Sequence, residues 1–149
     1  MILPDFKDFP RAGRIIGLDW GARRTGVAVS DASRDFVFAR DAIVTPRGDT
    51  SWARRVADLA QAENAVGFII GRPVHADGKV GDTFDEILRN ATELCTYSDL
   101  PICFLDENLT SVAAQEAMGR VRVRDIKQRL DSEAARVILE NAISVIRRA

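Results

Sequence analysis

The spacing of the apolar residues changes near residue 50, and this change limits the possible folds more than any other feature of the chain. Before it, three short apolar runs lie within residues 14–20, 25–30 and 36–44. Only the short segment Gly21-Ala-Arg-Arg separates the first two runs, which is typical of a β-hairpin. After it, apolar residues with helical spacing alternate with further short apolar runs. The predicted order is three strands in a meander, then alternating helices and strands.

The second part of the chain supplies the helices and the remaining strands. In order, the pattern predicts a helix capped by Thr50 or Ser51, a strand over 66–70, a helix capped by Asp82, a strand over 101–105, a helix over about 110–118 and a last helix over about 132–147. This order predicts an α/β fold in which a mixed sheet, an antiparallel meander plus parallel strands, carries helices on its faces. Ligand sites in such sheets lie at the carboxyl ends of the strands.

The length of 149 residues predicts a single domain, with residues 1–12 as a loosely ordered arm anchored by Phe6 and Phe9. The 21 Lys and Arg residues against 22 Asp and Glu residues give a net charge of −1, which excludes a globally basic nucleic-acid coat protein. Any nucleic-acid site must therefore be a local basic surface. The two cysteines, Cys95 and Cys103, are too few for a disulfide framework and are interpreted as free thiols in apolar patterns.

No apolar stretch approaches the ~20 residues that a membrane-spanning helix needs. Pro4, Asp5 and Lys7 interrupt the N-terminus too early for a secretory signal. We therefore expect no membrane partner and a cytoplasmic location.

Acidic residues end two of the predicted strands and precede the last predicted helix. Asp19 ends the first strand, Asp106 and Glu107 end the strand over 101–105, and Asp131 stands where the last helix is expected to begin. If the two strands are parallel neighbours, their acids meet at one edge of the sheet. Clustered carboxylates repel one another unless a cation neutralises them, and hard oxygen ligands favour Mg²⁺ or Mn²⁺. Such a site supports metal-assisted cleavage of phosphodiester bonds.

Each of these acids also has a structural interpretation. Asp131 before Ser-Glu-Ala-Ala suits a helix N-cap, and Asp19 before Trp-Gly suits a turn. Because adjacent strand residues point to opposite faces, only one of Asp106 and Glu107 is expected to face a shared site.

A local cluster of cations directly precedes Asp131. Residues 120–129 contain Arg120, Arg122, Arg124, Lys127 and Arg129, with only one acid, Asp125, among them. The cluster is either a solvated surface loop or an arm that grips phosphates beside the metal site. Arg23 and Arg24, which follow the first strand, are predicted to extend the same nucleic-acid-binding surface.

Four segments of the chain, in order, resemble one protein family. They are Ile16–Gly21 with Arg24–Asp31, then Gly71–Gly78, then Asp106–Ser111, and finally Asp131–Ala135 with Ile138 and Leu139. On these motifs the chain, from about Arg14 to Ile146, resembles the YqgF family of RuvX-like Holliday junction resolvases, named in bacteria as pre-16S rRNA nucleases. The resemblance implies an RNase H-like fold and a metal-dependent nuclease. It also implies that Asp19, Glu107 and Asp131 are the catalytic and metal-binding triad, with Asp106 as a further candidate acid.

The chain departs from the family pattern at two positions. Asn108 stands where the family usually has Arg, so a fixed cation that holds phosphate or orients the glutamate is missing. His75 replaces a usual Asn and is interpreted as a surface residue or a substrate contact. The triad itself is intact.

The sequence thus predicts an endonuclease acting on structured nucleic acid, with processing of the 5′ end of pre-16S rRNA as the preferred activity. The alternatives are a Holliday junction resolvase acting on branched DNA and a catalytically silent nucleic-acid-binding module. An ATP-binding fold of the sugar-kinase and actin type needs a second large domain, for which 149 residues leave no room. The oligomeric state is left open between monomer and homodimer, although a resolvase that cuts two symmetric strands favours a two-fold dimer.

Overall fold

The computed structural model describes residues 1–73, 82–107 and 123–149; for Asp82, Glu107 and residues 123–131 it describes the backbone alone. The strands and helices, numbered in chain order, are β1 (Arg14–Asp19), β2 (Arg24–Ser30), β3 (Val37–Val44), α1 (Trp52–Glu63), β4 (Ala65–Pro73), α2 (Asp82–Leu94), β5 (Ile102–Glu107) and α3 (Val123–Arg148).

The described strands form one mixed sheet in the order β3-β2-β1-β4-β5. The first three strands pair antiparallel, and β4 and β5 add in parallel beside β1. The predicted α/β fold class is therefore confirmed. In this order β1 lies at the centre, with β2 and β3 on one side and β4 and β5 on the other. The carboxyl ends of β1, β4 and β5 consequently lie at the same edge of the sheet.

Strand alternation divides the core into two layers. On one face, Leu18, Val27, Phe68 and Ile70 pack with residues of α1 and α2. On the other face, the side chains of Ile15, Ala28, Ile69 and Cys103 pack against α3, including Ala135, Ile138, Leu139 and Ala142. The central strands are buried on both faces, which explains their nearly continuous apolar sequences.

A glycine in β1 allows α3 to approach the sheet closely. A Cβ atom added at Gly17 would lie 2.8 Å from Leu139 Cβ and 3.2 Å from the carbonyl oxygen of Ala135. Real Cβ atoms do not approach other carbon atoms as closely as 2.8 Å, so only glycine permits this helix position.

Two boundaries differ from the sequence predictions. The last helix begins at Val123 rather than near Ser132, because neither glycine nor proline interrupts residues 123–131. Strand β4 continues to Pro73, into a segment expected to be a loop. The helix predicted over about 110–118 lies outside the described residues.

The first helix begins as expected near Ser51, but the predicted cap is wrong in detail. Ser51 makes no side-chain capping bond. Its backbone N–H and its hydroxyl instead donate to Asp49 Oδ1, at 2.8 and 2.6 Å.

The N-terminal segment makes more contacts than its sequence indicated. Ile102 pairs with Ile2 in a parallel bridge, so residues 1–3 lie against β5. The anchor Phe9 is buried, and its ring packs edge-on against Phe6.

Cys103, also on β5, contacts the carbonyl oxygen of Asp5 through its thiol, and burial raises the pKa of this thiol to about 11. Cys103 is therefore protonated at neutral pH and acts as a small core residue, as predicted.

Candidate active site

Asp19 is the last residue of the central strand β1. It is partly buried and stands opposite Gly26 of β2. The preceding residue, Leu18, pairs with Ile70 of β4, and Ile70 pairs in turn with Phe104 of β5. The ends of these three strands are therefore nearly level, and Asp19 lies at the edge where β5 also ends.

The structure separates the two adjacent acids at the end of β5. Phe104 packs against Phe84 of α2, so even-numbered residues of this strand face the α1 and α2 layer. The carboxylate of Asp106, on that face, pairs with the guanidinium of Arg72, whose Nε lies 2.5 Å from Oδ1. Arg72 is also stacked 5.5 Å from the centre of the Phe84 ring. Asp106 is thus part of an ion pair on the α2 side of the sheet.

Position 107 belongs to the opposite face. Cys103 and Leu105 pack in the α3 layer, and strand alternation places position 107 in the same row. Because residue 105 is level with the end of β1, position 107 lies just beyond Asp19 at the same edge.

The direction of α3 brings Asp131 to this edge as well. Ser132 lies in the N-terminal half of α3, and its hydroxyl donates to the carbonyl oxygen of Arg40 at 2.8 Å. Arg40 is level with Val27 and Leu18, the residue before Asp19. Asp131 therefore precedes a residue that is level with the end of β1 and contacts β3, two strands away.

The opposite end of α3 confirms this direction. Arg147 Nη2 donates to the carbonyl oxygen of Arg34 at 2.9 Å, and Arg34 Nε donates to that of Gly13, just before β1. The helix therefore runs antiparallel to β1, with residue 131 at the acidic end. The N-cap interpretation of Asp131 is wrong, since α3 begins at Val123 and residue 131 lies inside it.

The backbone thus brings three acidic positions, 19, 107 and 131, to one edge of the sheet. Among the side chains that the structure describes, no group of three His, Cys, Asp or Glu residues is arranged to hold a metal. Of the three acids only Asp19 has a described side chain. The donor set nevertheless fits a hard divalent cation, because all three residues carry carboxylate oxygens.

A family model described as "RuvX: Holliday junction resolvase" matches residues 13–145. The chain belongs to the RuvX family. A relative from Rhodopirellula baltica, named "Putative pre-16S rRNA nuclease", is 34% identical over 145 residues, covering 93% of this chain and 81% of the relative. A relative of the same name from Rhodobacter capsulatus is 35% identical over 152 residues, covering 96% and 93%.

Solved structures support the fold. The RuvC of Thermus thermophilus in complex with a Holliday junction superposes with a TM-score of 0.57 at 10% identity, covering 89% of this chain and 94% of that one. The predicted RNase H-like fold and family are therefore confirmed, and the predicted nuclease class agrees with the family and with the names of its members. In the described part of this RuvX-family chain, no helix has the length and apolar character needed to cross a membrane.

Two of the predicted basic residues, Arg23 and Arg24, lie where β1 connects to β2, at the acidic edge. Arg24 is the first residue of β2 and precedes Gly26, the residue opposite Asp19, by two positions. Because β2 runs antiparallel to β1, Arg24 lies past the end of β1. The neighbouring Arg23 is exposed, and its carbonyl oxygen accepts a hydrogen bond from the Thr45 N–H at 2.9 Å. Of the remaining cations, Arg124, Lys127 and Arg129 belong to the first turns of α3, whereas Arg120 and Arg122 lie outside the described residues, as do His75 and Asn108.

A cleft beside the acidic edge was missed by the sequence analysis. It has a volume of about 490 Å³ and lies between the edge strand β3, the start of β2 and α3. Its charged and polar lining comprises Arg24, Arg40, Asp41, Ser132 and Glu133. The pairing of β2 with β3 shifts register between Thr25 and Val27, opposite this part of β3. Bulges of this kind are common beside active sites, but no residue pattern in β3 indicated one.

Proposed function

We propose that this chain is a metal-dependent endonuclease that hydrolyses phosphodiester bonds in structured nucleic acid, with the 5′ end of pre-16S rRNA as its substrate. One observation carries the proposal: strand register and helix direction bring positions 19, 107 and 131 to one edge of the sheet. The names of the relatives from Rhodopirellula baltica and Rhodobacter capsulatus support the choice of substrate. The cytoplasmic location stays a prediction.

In this proposal Asp19, Glu107 and Asp131 hold Mg²⁺ or Mn²⁺ through their carboxylate oxygens. When bound, the metal lowers the pKa of the attacking water and stabilises charge on the leaving oxygen. Asp19 is well suited to a fixed ligand position, since it ends a paired central strand whose four middle residues are buried.

The cations around this edge have a separate task. Arg23, Arg24 and the cations of residues 120–129 neutralise backbone phosphates and so orient the substrate over the carboxylates. The missing family guanidinium at Asn108 leaves more of this task to these residues.

The proposal is tested by a cleavage assay on two substrates in parallel, a pre-16S 5′ fragment and a four-way DNA junction. We expect cleavage of the RNA with Mn²⁺ and none with a chelator. The family description favours the Holliday junction as the second candidate substrate. If the protein cuts the junction symmetrically and leaves the RNA intact, the Holliday junction and not the pre-16S rRNA is the substrate. Binding of both substrates without cleavage in any divalent metal would contradict the nuclease proposal and leave a binding module.

A triple variant in which Gln replaces Arg122, Arg124 and Lys127 is expected to bind nucleic acid more weakly. Each lost phosphate contact should reduce the slope of log K against log salt by about one unit. The matched control replaces the exposed Lys7, Arg54 and Arg89, which removes the same charge elsewhere on the surface. An unchanged slope in the first variant, or an equal loss in the control, would show that the basic segment is only a solvated surface.

The two acids at the end of β5 are expected to respond differently to neutralisation. Glu107→Gln should lower the cleavage rate by at least about 10–100-fold, the scale of losses at groups supporting a metal. Asp106→Asn should retain most of the activity, since Asp106 pairs with Arg72 on the other face. Rates in Mn²⁺ and thermal melting of both variants provide the comparison. A larger rate loss for Asp106→Asn would reverse the assignment.

A further inference from the structure

The connection between β3 and α1 presents an exposed arginine, Arg47, past the carboxyl end of β3. Arg47 belongs to a tight turn, in which the Asp49 N–H donates to the carbonyl oxygen of Pro46 at 2.9 Å. Gly48, the third residue of this turn, has a φ of 89°, close to the value that a type II turn requires there. The turn therefore holds the backbone of Arg47 in one conformation and leaves its side chain in solvent.

Further hydrogen bonds fix this turn to the connection between β1 and β2. Thr45 donates its backbone N–H to the carbonyl oxygen of Arg23 at 2.9 Å, and its hydroxyl to that of Ala22 at 3.3 Å. On the α1 side, Arg55 Nη1 lies 3.9 Å from Asp49 Oδ2 and donates to a backbone carbonyl of β3 at 2.7 Å. The two connections therefore form one fixed surface, which carries both Arg23 and Arg47.

This surface rises past the end of β1, where the acidic positions lie. Asp19 stands opposite Gly26, and β2 begins two residues before Gly26 at Arg24, which pairs with Val44 of β3. At about 3.3 Å per residue and about 4.8 Å between strands, Thr45 lies roughly 14 Å from Asp19. One strand of a nucleic acid advances about 3.4 Å per nucleotide, so this distance corresponds to about four nucleotides.

The charges of the two connections favour a polyanion. Residues 20–24 and 44–51 together contain three arginines and one acid, Asp49, and the charge of Asp49 is balanced by Arg55 of α1. Arg23 and Arg47 are exposed, and neither guanidinium pairs with an acid among the residues that the structure describes. Asp41, the nearest other acid of β3, lines the cleft on the α3 face. Exposed cations without an acidic partner attract phosphates.

The cations of α3 lie on the other face of the sheet. The connection over residues 45–51 leads into α1, and α1 and α3 pack on opposite faces. Residues 123–131 of α3, which include three of the predicted cations, extend beyond Ser132, a residue level with the end of β1. Cations therefore stand on both sides of the acidic edge, so a substrate that crosses this edge meets positive charge on each side.

We propose that Arg47, together with Arg23, forms a second phosphate-binding site, which holds the substrate backbone about four nucleotides from the scissile phosphate. The inference rests on the proposed nuclease function and adds a substrate requirement to it: the strand must continue past the cleavage position toward β3. The contact is made to phosphate, so it positions the strand without reading its sequence.

The test measures binding, in chelator, to a pre-16S 5′ fragment in which one phosphate at a time is replaced by an uncharged methylphosphonate linkage. Two variants are compared with the wild type: Arg47→Gln removes the charge, and Arg47→Lys keeps it. Arg89→Gln is the matched control, because it removes one exposed arginine from the middle of α2, away from the two connections.

We expect Arg47→Gln to bind the unmodified fragment about 10-fold more weakly, the scale of one lost hydrogen bond to a charged group. The slope of log K against log salt should fall by about one unit. The wild type should lose a similar factor at one or two neighbouring linkages, and Arg47→Gln should no longer respond to the change at those linkages. Arg47→Lys should keep most of the affinity, and Arg89→Gln should behave like the wild type.

Three results would each overturn the inference. The first is wild-type affinity of Arg47→Gln. The second is an equal loss of affinity in Arg89→Gln, which would show a diffuse effect of net charge. The third is an Arg47→Gln variant that responds to every linkage as the wild type does, because no single phosphate would then be the partner of Arg47.

Failure of this inference is distinguishable from failure of the nuclease proposal. Cleavage by the wild type in Mn²⁺ is scored separately from binding in chelator. If the wild type cleaves the fragment but Arg47→Gln binds like the wild type, only the second phosphate site is wrong. If Arg47 is coupled to one phosphate but no substrate is cleaved, the phosphate site stands and the nuclease proposal is wrong.

Discussion

Replacing Asp19 with Asn is expected to abolish cleavage while leaving the protein folded. Asn keeps the size of the side chain and one acceptor oxygen, but it removes the negative charge that holds a divalent cation. Loss of groups that merely support a metal ligand costs roughly 10–100-fold, so loss of a ligand itself should exceed that range. Cleavage rates in Mn²⁺ for the wild type and the variant provide the measurement. The control is Asp58→Asn, which removes one charge from an exposed position of α1.

Stability in chelator separates the two interpretations of Asp19. If Asp19 belongs to a carboxylate cluster, its neutralisation relieves repulsion, and the melting temperature should stay level or rise. If Asp19 is a structural turn residue, its loss should lower the free energy of unfolding by about 0.5–2 kcal/mol, the scale of a lost helix cap. A variant that melts at a lower temperature and still cleaves would show that the end of β1 is a turn and not an active site.

The residue pattern was sufficient to predict the order of the strands along the chain and a mixed sheet. It did not predict which strands are neighbours: the two strands that end in acids, β1 and β5, are separated by β4. Their apolar runs are bounded by turn residues such as Gly21 and Asn64, but burial on both faces removes the alternation that would indicate their register. The start of α3 was not predictable in the same way. The acid at Asp131, followed by serine, resembles a cap, yet Val123 to Leu130 contains no residue that stops a helix, so α3 begins earlier.

Distinguishing between Asp106 and Glu107 required three-dimensional information. Adjacent residues always alternate in a strand, but which one faces α3 depends on the register of β5 against β4. The partner of Asp106 is Arg72, 34 positions away in sequence. The cleft beside β3 likewise depends on a register shift and on the distance between β3 and α3. Such properties arise from long-range packing rather than from local propensity.

Replacing Gly17 with Val is expected to reduce both stability and activity, because Gly17 sets the distance between β1 and α3. Even the first added carbon would lie 2.8 Å from Leu139 Cβ, an atom attached directly to the helix backbone. The helix must therefore move away from β1, and overpacking of this kind costs about 1–3 kcal/mol or more. The same movement displaces residue 131 from Asp19. Misplacement of a catalytic group by about 1 Å costs about 100-fold in rate.

The matched control for this prediction is Gly67→Val. A Cβ at Gly67 would lie 2.5 Å from the ring of Phe9, on the same face of the sheet but beside residue 15, away from the acidic edge. Both variants should melt at lower temperatures, and cleavage per folded molecule should fall steeply only for Gly17→Val. Gly17→Ala provides the milder change if the valine variant does not fold. Adding Leu139→Ala to Gly17→Val should leave most of the loss in place, because alanine keeps the Cβ atom that the first added carbon meets at 2.8 Å. Equal activity per folded molecule in the two valine variants would show that the position of α3 against β1 does not set the geometry of the acidic site.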